Sequence, residues 1–232
     1  MKLVVKVLQL FFGLFLYALG IVITINANIG LAPWDVFHQG LGFILNTTMG
    51  FAGIGVGFIL ILINLFLKER VGWGTIANMI FIGLFLDIIM KNNWIPVFHG
   101  LFFQFFMACV GLFIIGVASV FYIRTGLGAG PRDALMIALK KKTGKSVQFI
   151  RNSIEIAVLV LGYLLGGFVG IGTIFMSLSV GFFVQLAFKL FHFDVNSIEH
   201  RTIDADIKWL KYTLLSSKDD LSSTKILQQK VK

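Results

Sequence analysis

Two short stretches of this chain share glycine, proline and aspartate at spacings that could build part of a solute-binding site. Residues 27–35 read ANIGLAPWD and residues 125–133 read TGLGAGPRD, so the two copies lie 98 residues apart. Glycine permits a tight turn, proline suits the first turn of a helix, and aspartate complements the positive end of a helix dipole. Each copy therefore predicts a glycine-rich turn that opens a helix. The alternative is that proline and aspartate serve only to start and cap that helix.

Charged and amide side chains elsewhere extend the candidate site. Arg151 and Glu155 stand four residues apart on one face of a predicted helix, and Asp87 corresponds to Gln185 at the same 98-residue offset. An ionisable side chain inside a membrane span is costly, which makes each one a candidate for function. The candidate substrate-binding residues are Pro33, Asp35, Asp87, Gly128, Gly130, Pro131, Arg132, Asp133, Arg151, Glu155 and Gln185. An ion pair near the lipid headgroups is the alternative for Arg151 and Glu155, and an interfacial carboxylate is the alternative for Asp87.

The composition indicates an integral membrane protein. Hydrophobic residues make up 57% of the 232 residues, charged residues make up 13%, and the mean hydropathy is +0.90. The single cysteine, Cys109, rules out an intrachain disulfide framework, and the four histidines lack the spacing of a helical zinc motif. We therefore predict neither a metal site nor a cofactor.

Two other functional classes are disfavoured by the arrangement of residues. The glycines near residue 128 follow an apolar stretch and lack the lysine and hydroxyl residue of a phosphate-binding loop, and no catalytic Ser/His/Asp or Cys/His arrangement is visible. We therefore do not expect an enzyme. The net charge of +9 arises from basic residues beside apolar segments and in the C-terminal tail, which is typical of membrane orientation rather than of nucleic-acid binding.

Six apolar stretches are long enough to cross or nearly cross a bilayer as helices. They cover about residues 5–25, 51–67, 74–90, 101–123, 149–166 and 172–191. Two shorter helices are predicted between them, at Pro33 to about Leu45 and at Pro131 to Lys142, and we call these the motif helices. The prediction is an all-α membrane protein with six transmembrane helices.

Basic residues alternate between the loops. Lysine precedes the first span, residues 26–50 contain no Lys or Arg, and the region from Arg124 to Lys145 is strongly basic. The positive-inside rule then predicts that both termini are cytoplasmic, with the first motif facing out and the second facing in.

A second repeated element supports a duplicated chain. Residues 71–76, VGWGTI, match residues 169–174, VGIGTI, at the same 98-residue offset. Each unit holds three spans, an odd number, so we predict a 3+3 inverted repeat comprising residues 1–97 and 98–191, followed by a polar cytoplasmic tail at 192–232. Inverted repeats with interrupted helices are typical of secondary transporters, and we expect a transporter of a small polar solute. The alternative is a membrane scaffold or accessory protein; the expected partners are the lipid bilayer, the solute and further copies of the chain.

At these motifs the chain resembles the bacterial YczE/YyaS/YitT membrane-protein family, most closely its YczE-like branch. The resemblance covers about residues 5–190, and its residues are 30–35, GLAPWD; 126–133, GLGAGPRD; Arg151 and Glu155; 166–173, GGFVGIGT; and Gly181, Val184 and Gln185. The chain departs from the family pattern at Ala134, where glycine is common, and at Phe182, where proline is frequent. The resemblance implies a protein of the bacterial cytoplasmic membrane, and it implies no particular substrate.

Overall fold

A computed structural model describes residues 3–194, 198 and 202–204, so the predicted tail at 192–232 lies largely outside the described residues. Within the described part, the chain forms helices and no strands. The helices are α1 (Leu3–Asn26), α2 (Pro33–Leu45), α3 (Met49–Phe66), α4 (Trp73–Lys91), α5 (Leu101–Arg124), α6 (Pro131–Thr143), α7 (Val147–Leu164) and α8 (Ile171–Leu190). All of them except α2 and α6 are long and apolar enough to cross a membrane. The predicted all-α class and the six candidate spans are confirmed.

Local sequence explains where the helices begin. Pro33 and Pro131 occupy the first turns of α2 and α6, after residues with extended backbone. The side chains of Thr48 and Ser146 accept hydrogen bonds from backbone N–H groups in the first turns of α3 and α7. The two short motif helices are therefore helices of their own, as predicted.

The helix bounds recur along the chain at a constant spacing. Each of α5, α6 and α7 begins and ends 98 residues after α1, α2 and α3, respectively, and α8 differs from α4 by one extra residue at its end. The same order of long, short, long and long helices therefore occurs twice.

The two longest helices, α1 and α5, lie side by side at the centre and run antiparallel. Gly13 near the start of α1 packs against Tyr122 at the end of α5, whereas Gly20 and Thr24 near the end of α1 pack against Gly111. Small residues allow such helices to approach closely in a membrane. The helix α4 then packs on α1, and α8 packs on α5.

The glycine-rich turns before α2 and α6 dock onto the opposite half of the chain. The amide of Gly74 donates to the carbonyl of Leu127 at 2.8 Å, and the amide of Gly172 donates to the carbonyl of Ile29 at 2.7 Å. Gly30 and Gly128 have φ angles of +121° and +134°, which L side chains rarely adopt. The start of each motif helix is thus held by the other half of the chain.

Candidate functional site

The starts of α2 and α6 meet at two neighbouring cavities, of about 110 and 100 Å³. Both cavities are bordered by Tyr17, Ile21, Asp35 and Arg132. These side chains therefore form the partition between the two spaces. The first cavity extends toward α3 and α4, and the second extends toward α7 and α8.

Arg132 is the central cation of this partition. Its guanidinium lies over the Trp34 ring, 4.4 Å from the ring centroid, and its Nη2 lies 3.3 Å from Nε2 of His38. An arginine can only donate, so His38 accepts at Nε2 and carries its proton on Nδ1. Burial and the positive charge of Arg132 both lower the pKa of His38, which keeps this ring neutral.

Asp35 is the buried anion of the site, with 5% of its surface exposed. It lies in the first turn of α2, outside the six candidate spans. Burial raises the pKa of its carboxyl to about 6, and the neighbouring Arg132 opposes that rise. Asp35 can therefore carry or release a proton near neutral pH.

Asp133, in the corresponding place on α6, is held differently. The hydroxyl of Tyr122 donates to Asp133 Oδ2 at 3.1 Å, while the backbone amide of Gly130 donates to that same hydroxyl oxygen at 2.9 Å. This chain of hydrogen bonds ties the start of α6 to the end of α5. Asp133 also borders the first cavity, together with Gly130 and Pro131.

Arg151 and Glu155 form an ion pair, with Nε of Arg151 2.9 Å from Oε1 of Glu155. Their side chains are 36% and 18% exposed, and both border the second cavity beside Arg132. Pro33 borders the same cavity. The structure thus brings the pair into the neighbourhood of the motif helices.

Three predicted site residues are not among the residues that line the two cavities. Asp87 accepts hydrogen bonds from the Thr48 hydroxyl at 2.5 Å and from the Gly50 amide at 2.9 Å, which places it at the start of α3. Gln185 is exposed on α8 and borders neither cavity. Gly128 belongs to the turn that docks on Thr75.

Several residues at the site were not among the predicted site residues. They are Tyr17, Trp34, Asn78 and Tyr122. Asn78 carried a usable signal because it is an amide inside an apolar span, and Trp34 stands between two predicted site residues. The tyrosines carried no such signal, because an aromatic residue in an apolar helix is common.

Comparison with known proteins places this arrangement in a family. A family model described as "Family of unknown function (DUF6198)" matches residues 4–189, which include all eight motif and spanning helices apart from their outermost residues. The chain belongs to DUF6198.

Relatives of this DUF6198 protein occur in Haemophilus influenzae and Bacillus subtilis. An uncharacterized protein of Haemophilus influenzae is 35% identical over 176 residues, covering 76% of this chain and 80% of the relative. The uncharacterized membrane protein YczE of Bacillus subtilis is 33% identical over 179 residues, covering 76% and 82%. YyaS, an uncharacterized protein of the same organism, is 28% identical over 165 residues, covering 70% and 82%. No solved structure matches the chain. The resemblance seen in the motifs is confirmed, and the chain is a multi-pass membrane protein.

Proposed function

We propose that this DUF6198 protein transports a small polar solute across the bacterial cytoplasmic membrane. The observation that carries the proposal is the pair of cavities at the starts of α2 and α6, separated by the buried carboxyl of Asp35 and the half-buried guanidinium of Arg132. Buried ionisable groups in a membrane protein are costly, and they commonly mark the path of a solute or an ion.

The proposed architecture is a 3+3 inverted repeat. The helix bounds recur at 98 residues, and the corresponding helices α1 and α5 run antiparallel. Two backbone hydrogen bonds join the halves, from Gly74 to Leu127 and from Gly172 to Ile29, and their residues also correspond at that spacing. A two-fold axis in the membrane plane would relate the halves, and interrupted helices from both repeats would meet at the site, as in many secondary transporters.

The proposed solute is small and carries polar groups. An apolar cavity of about 150 Å³ accommodates benzene, so cavities near 110 Å³ suit a solute of roughly six or fewer heavy atoms. Arg132 provides a donor for an anionic or carbonyl group, and Asp35 and Asp133 provide acceptors for donor groups. This charge arrangement favours a solute with both kinds of group.

Uptake or efflux provides the direct test. We expect a deletion strain to show altered uptake or efflux of one compound from a library of small metabolites. Purified protein in liposomes should transport that same compound. Arg132→Gln should abolish the movement, because Arg132 is the only cation in the described part of the chain that borders both cavities. Lys140→Gln on the same helix makes the same change of charge at an exposed position and should leave movement intact. If neither the wild-type protein nor the variants move any compound, and the protein binds a partner protein, the scaffold alternative is favoured.

The proposed orientation places both termini in the cytoplasm. It is supported by the basic region from Arg124 to Lys145 and by the absence of Lys and Arg in residues 26–50. In a background with Cys109 replaced, an impermeant maleimide added to intact cells should label Asn46→Cys and leave Lys141→Cys unlabelled. Labelling of Lys141→Cys alone would contradict this orientation.

A further inference from the structure

The hairpin of α3 and α4 is tightly closed at one end. The Asp87 carboxylate accepts from the Thr48 hydroxyl at 2.5 Å and from the Gly50 amide at 2.9 Å. A Cβ added at Gly83 would lie 2.6 Å from the Gly50 carbonyl oxygen, so the two backbones touch. Asp87 on α4 therefore holds the start of α3 in place.

The corresponding end of α7 and α8 is open. At the 98-residue offset, Thr48 and Asp87 correspond to Ser146 and Gln185. Ser146 caps α7 just as Thr48 caps α3, by accepting from the third amide beyond it. Yet α7 and α8 hardly touch each other, Gln185 is exposed, and a Cβ at Gly181 would meet nothing within 4 Å.

The faces that border this opening carry several polar or small residues beside the apolar Met176 and Val180. Glu155 and Ser177 both border the second cavity, and helical spacing places further residues on the same two faces. These faces carry Gln148, Asn152 and Glu155 on α7 and Ser177, Gly181 and Gln185 on α8. Such side chains are costly against lipid and tolerable against water or against a polar partner. The two faces therefore suit an opening that is either filled with water or closed upon itself.

We propose that the opening between α7 and α8 is a gate of the transporter, and that Ser146 and Gln185 close it. In the closed gate the Ser146 hydroxyl and the backbone amide of Gln148 donate to Oε1 of Gln185. This arrangement matches the one at α3 and α4, where the Thr48 hydroxyl and the Gly50 backbone amide donate to Asp87. The opposite gate, between α3 and α4, then opens and releases Asp87. This inference rests on the proposed transport function and assigns Gln185 to gating rather than to solute binding.

The two gates differ in strength. Hydrogen bonds to a carboxylate are roughly twice as strong as bonds between neutral groups, so Asp87 holds its gate more firmly than Gln185 can hold the other. This difference explains why the structure has α3 and α4 closed and α7 and α8 apart. By the charge distribution of the loops, the open gate faces the cytoplasm.

Disulfide trapping in membranes tests the gate without any solute. With Cys109 replaced by serine, Ser146→Cys combined with Gln185→Cys should cross-link under mild oxidation. Adding Asp87→Gln should raise the rate about tenfold, because it removes the charge that strengthens the hydrogen bonds from Thr48 and Gly50 in the competing gate. Lys91→Gln, the matched loss of charge at the end of α4, should leave the rate unchanged. The control is Ser146→Cys combined with a cysteine at the exposed Leu178. The inference is overturned when the Ser146→Cys and Gln185→Cys pair cross-links no faster than this control pair. It is also overturned when Asp87→Gln leaves the cross-linking rate unchanged.

A labelling experiment covers the case in which the Asp87 variant does not fold. In inside-out vesicles, an impermeant maleimide should modify Asn152→Cys and should spare Ile156→Cys, which lies on an apolar exposed part of α7. A protected Asn152→Cys would overturn the gate. The gate and the transport proposal fail separately: cross-linking can succeed when no solute is moved, and a fully cross-linked protein that still transports would refute the gate alone.

Discussion

The two motif helices begin alike and then carry different chemistry. Each has proline in its first turn and aspartate two residues later, but the residue between them is Trp34 in α2 and Arg132 in α6. These two side chains stack on each other at 4.4 Å. The site is therefore asymmetric at its centre, because α6 supplies the cation and α2 supplies the aromatic face on which it lies.

The aspartates differ in the same way. Asp133 is held by the Tyr122 hydroxyl, whereas Thr24 stands at the corresponding place in α1 and bonds to its own helix through the Ile21 carbonyl. The first half therefore has no tyrosine at the position of Tyr122, and Asp35 lies near Arg132. In the proposed repeat the two halves share the same helix pattern, but the residues at corresponding positions anchor Asp133 in one half and leave Asp35 beside a cation in the other.

The backbone side of this comparison is tested most strongly at the glycine-rich turns. A Cβ at Gly30 would lie 2.6 Å from the Gly170 amide nitrogen and from Thr173 Oγ1, in addition to the strain of its positive φ. We expect Gly30→Ala to destabilise the protein by roughly 2–5 kcal/mol, combining steric overlap with backbone strain. Gly128→Ala should cost a similar amount, because a Cβ there would lie 2.7 Å from Thr75 Oγ1. Thermal unfolding in detergent and the amount of protein in the membrane provide the measurements.

Gly100→Ala separates strain from overlap in that experiment. Gly100 also has a positive φ, of +91°, but a Cβ there would meet nothing within 4 Å. Gly100→Ala should therefore lower the free energy of unfolding only by the cost of backbone strain, about 1–2 kcal/mol. If Gly30→Ala is tolerated while Gly128→Ala is not, the two turns are not equivalent.

The second comparison, between Asp87 and Gln185, concerns a smaller effect. Asp87→Ala removes the acceptor for Thr48 and Gly50, and we expect a loss of about 0.5–2 kcal/mol, which is typical of helix-capping side chains. Gln185→Ala should change stability by less than about 0.5 kcal/mol, because this side chain is exposed. Thermal unfolding of the two variants side by side measures the difference, and equal losses would contradict the view that only one hairpin is closed.

Local structure was predictable from the sequence to a large degree, because its signals are local. Proline at positions 33 and 131 predicts the starts of both motif helices, and the six apolar stretches predict the spans. The partners across the fold were not predictable. Tyr122 lies near Asp133 in the chain, yet nothing in its type distinguishes it from a packed aromatic residue. Asp87 reads as a charge in a span because its partner, Thr48, is 39 residues away and is brought close only by helix packing.

Charge reversal at Arg151 and Glu155 tests whether this ion pair gives the second half a role in transport that the first half lacks. The first half has Gly53 and Gly57 at the corresponding positions. Reversing either charge alone places like charges one helical turn apart, and we expect a loss of transport with a stability change below about 1 kcal/mol, because Arg151 is partly exposed. Reversing both charges should restore part of the activity, as measured by uptake into liposomes. Silent single reversals would mean that the pair is only a surface contact.

The smallest effect is expected at the ion pair that joins α6 to the segment between α3 and α4. Lys141 Nζ lies 2.7 Å from Oε1 of Glu69, and the Lys141 side chain is 65% exposed. At the 98-residue offset the corresponding residues are Phe43 and Gly167, so the other half has no charge at this place. Exposed ion pairs contribute about 0–1 kcal/mol and are screened by salt. Lys141→Ala should therefore lower the unfolding temperature slightly at low salt and leave it unchanged at high salt, with transport intact under both conditions. A salt-independent loss of stability, or a loss of transport, would show that the basic end of α6 does more than orient the chain and brace it against a neighbouring loop.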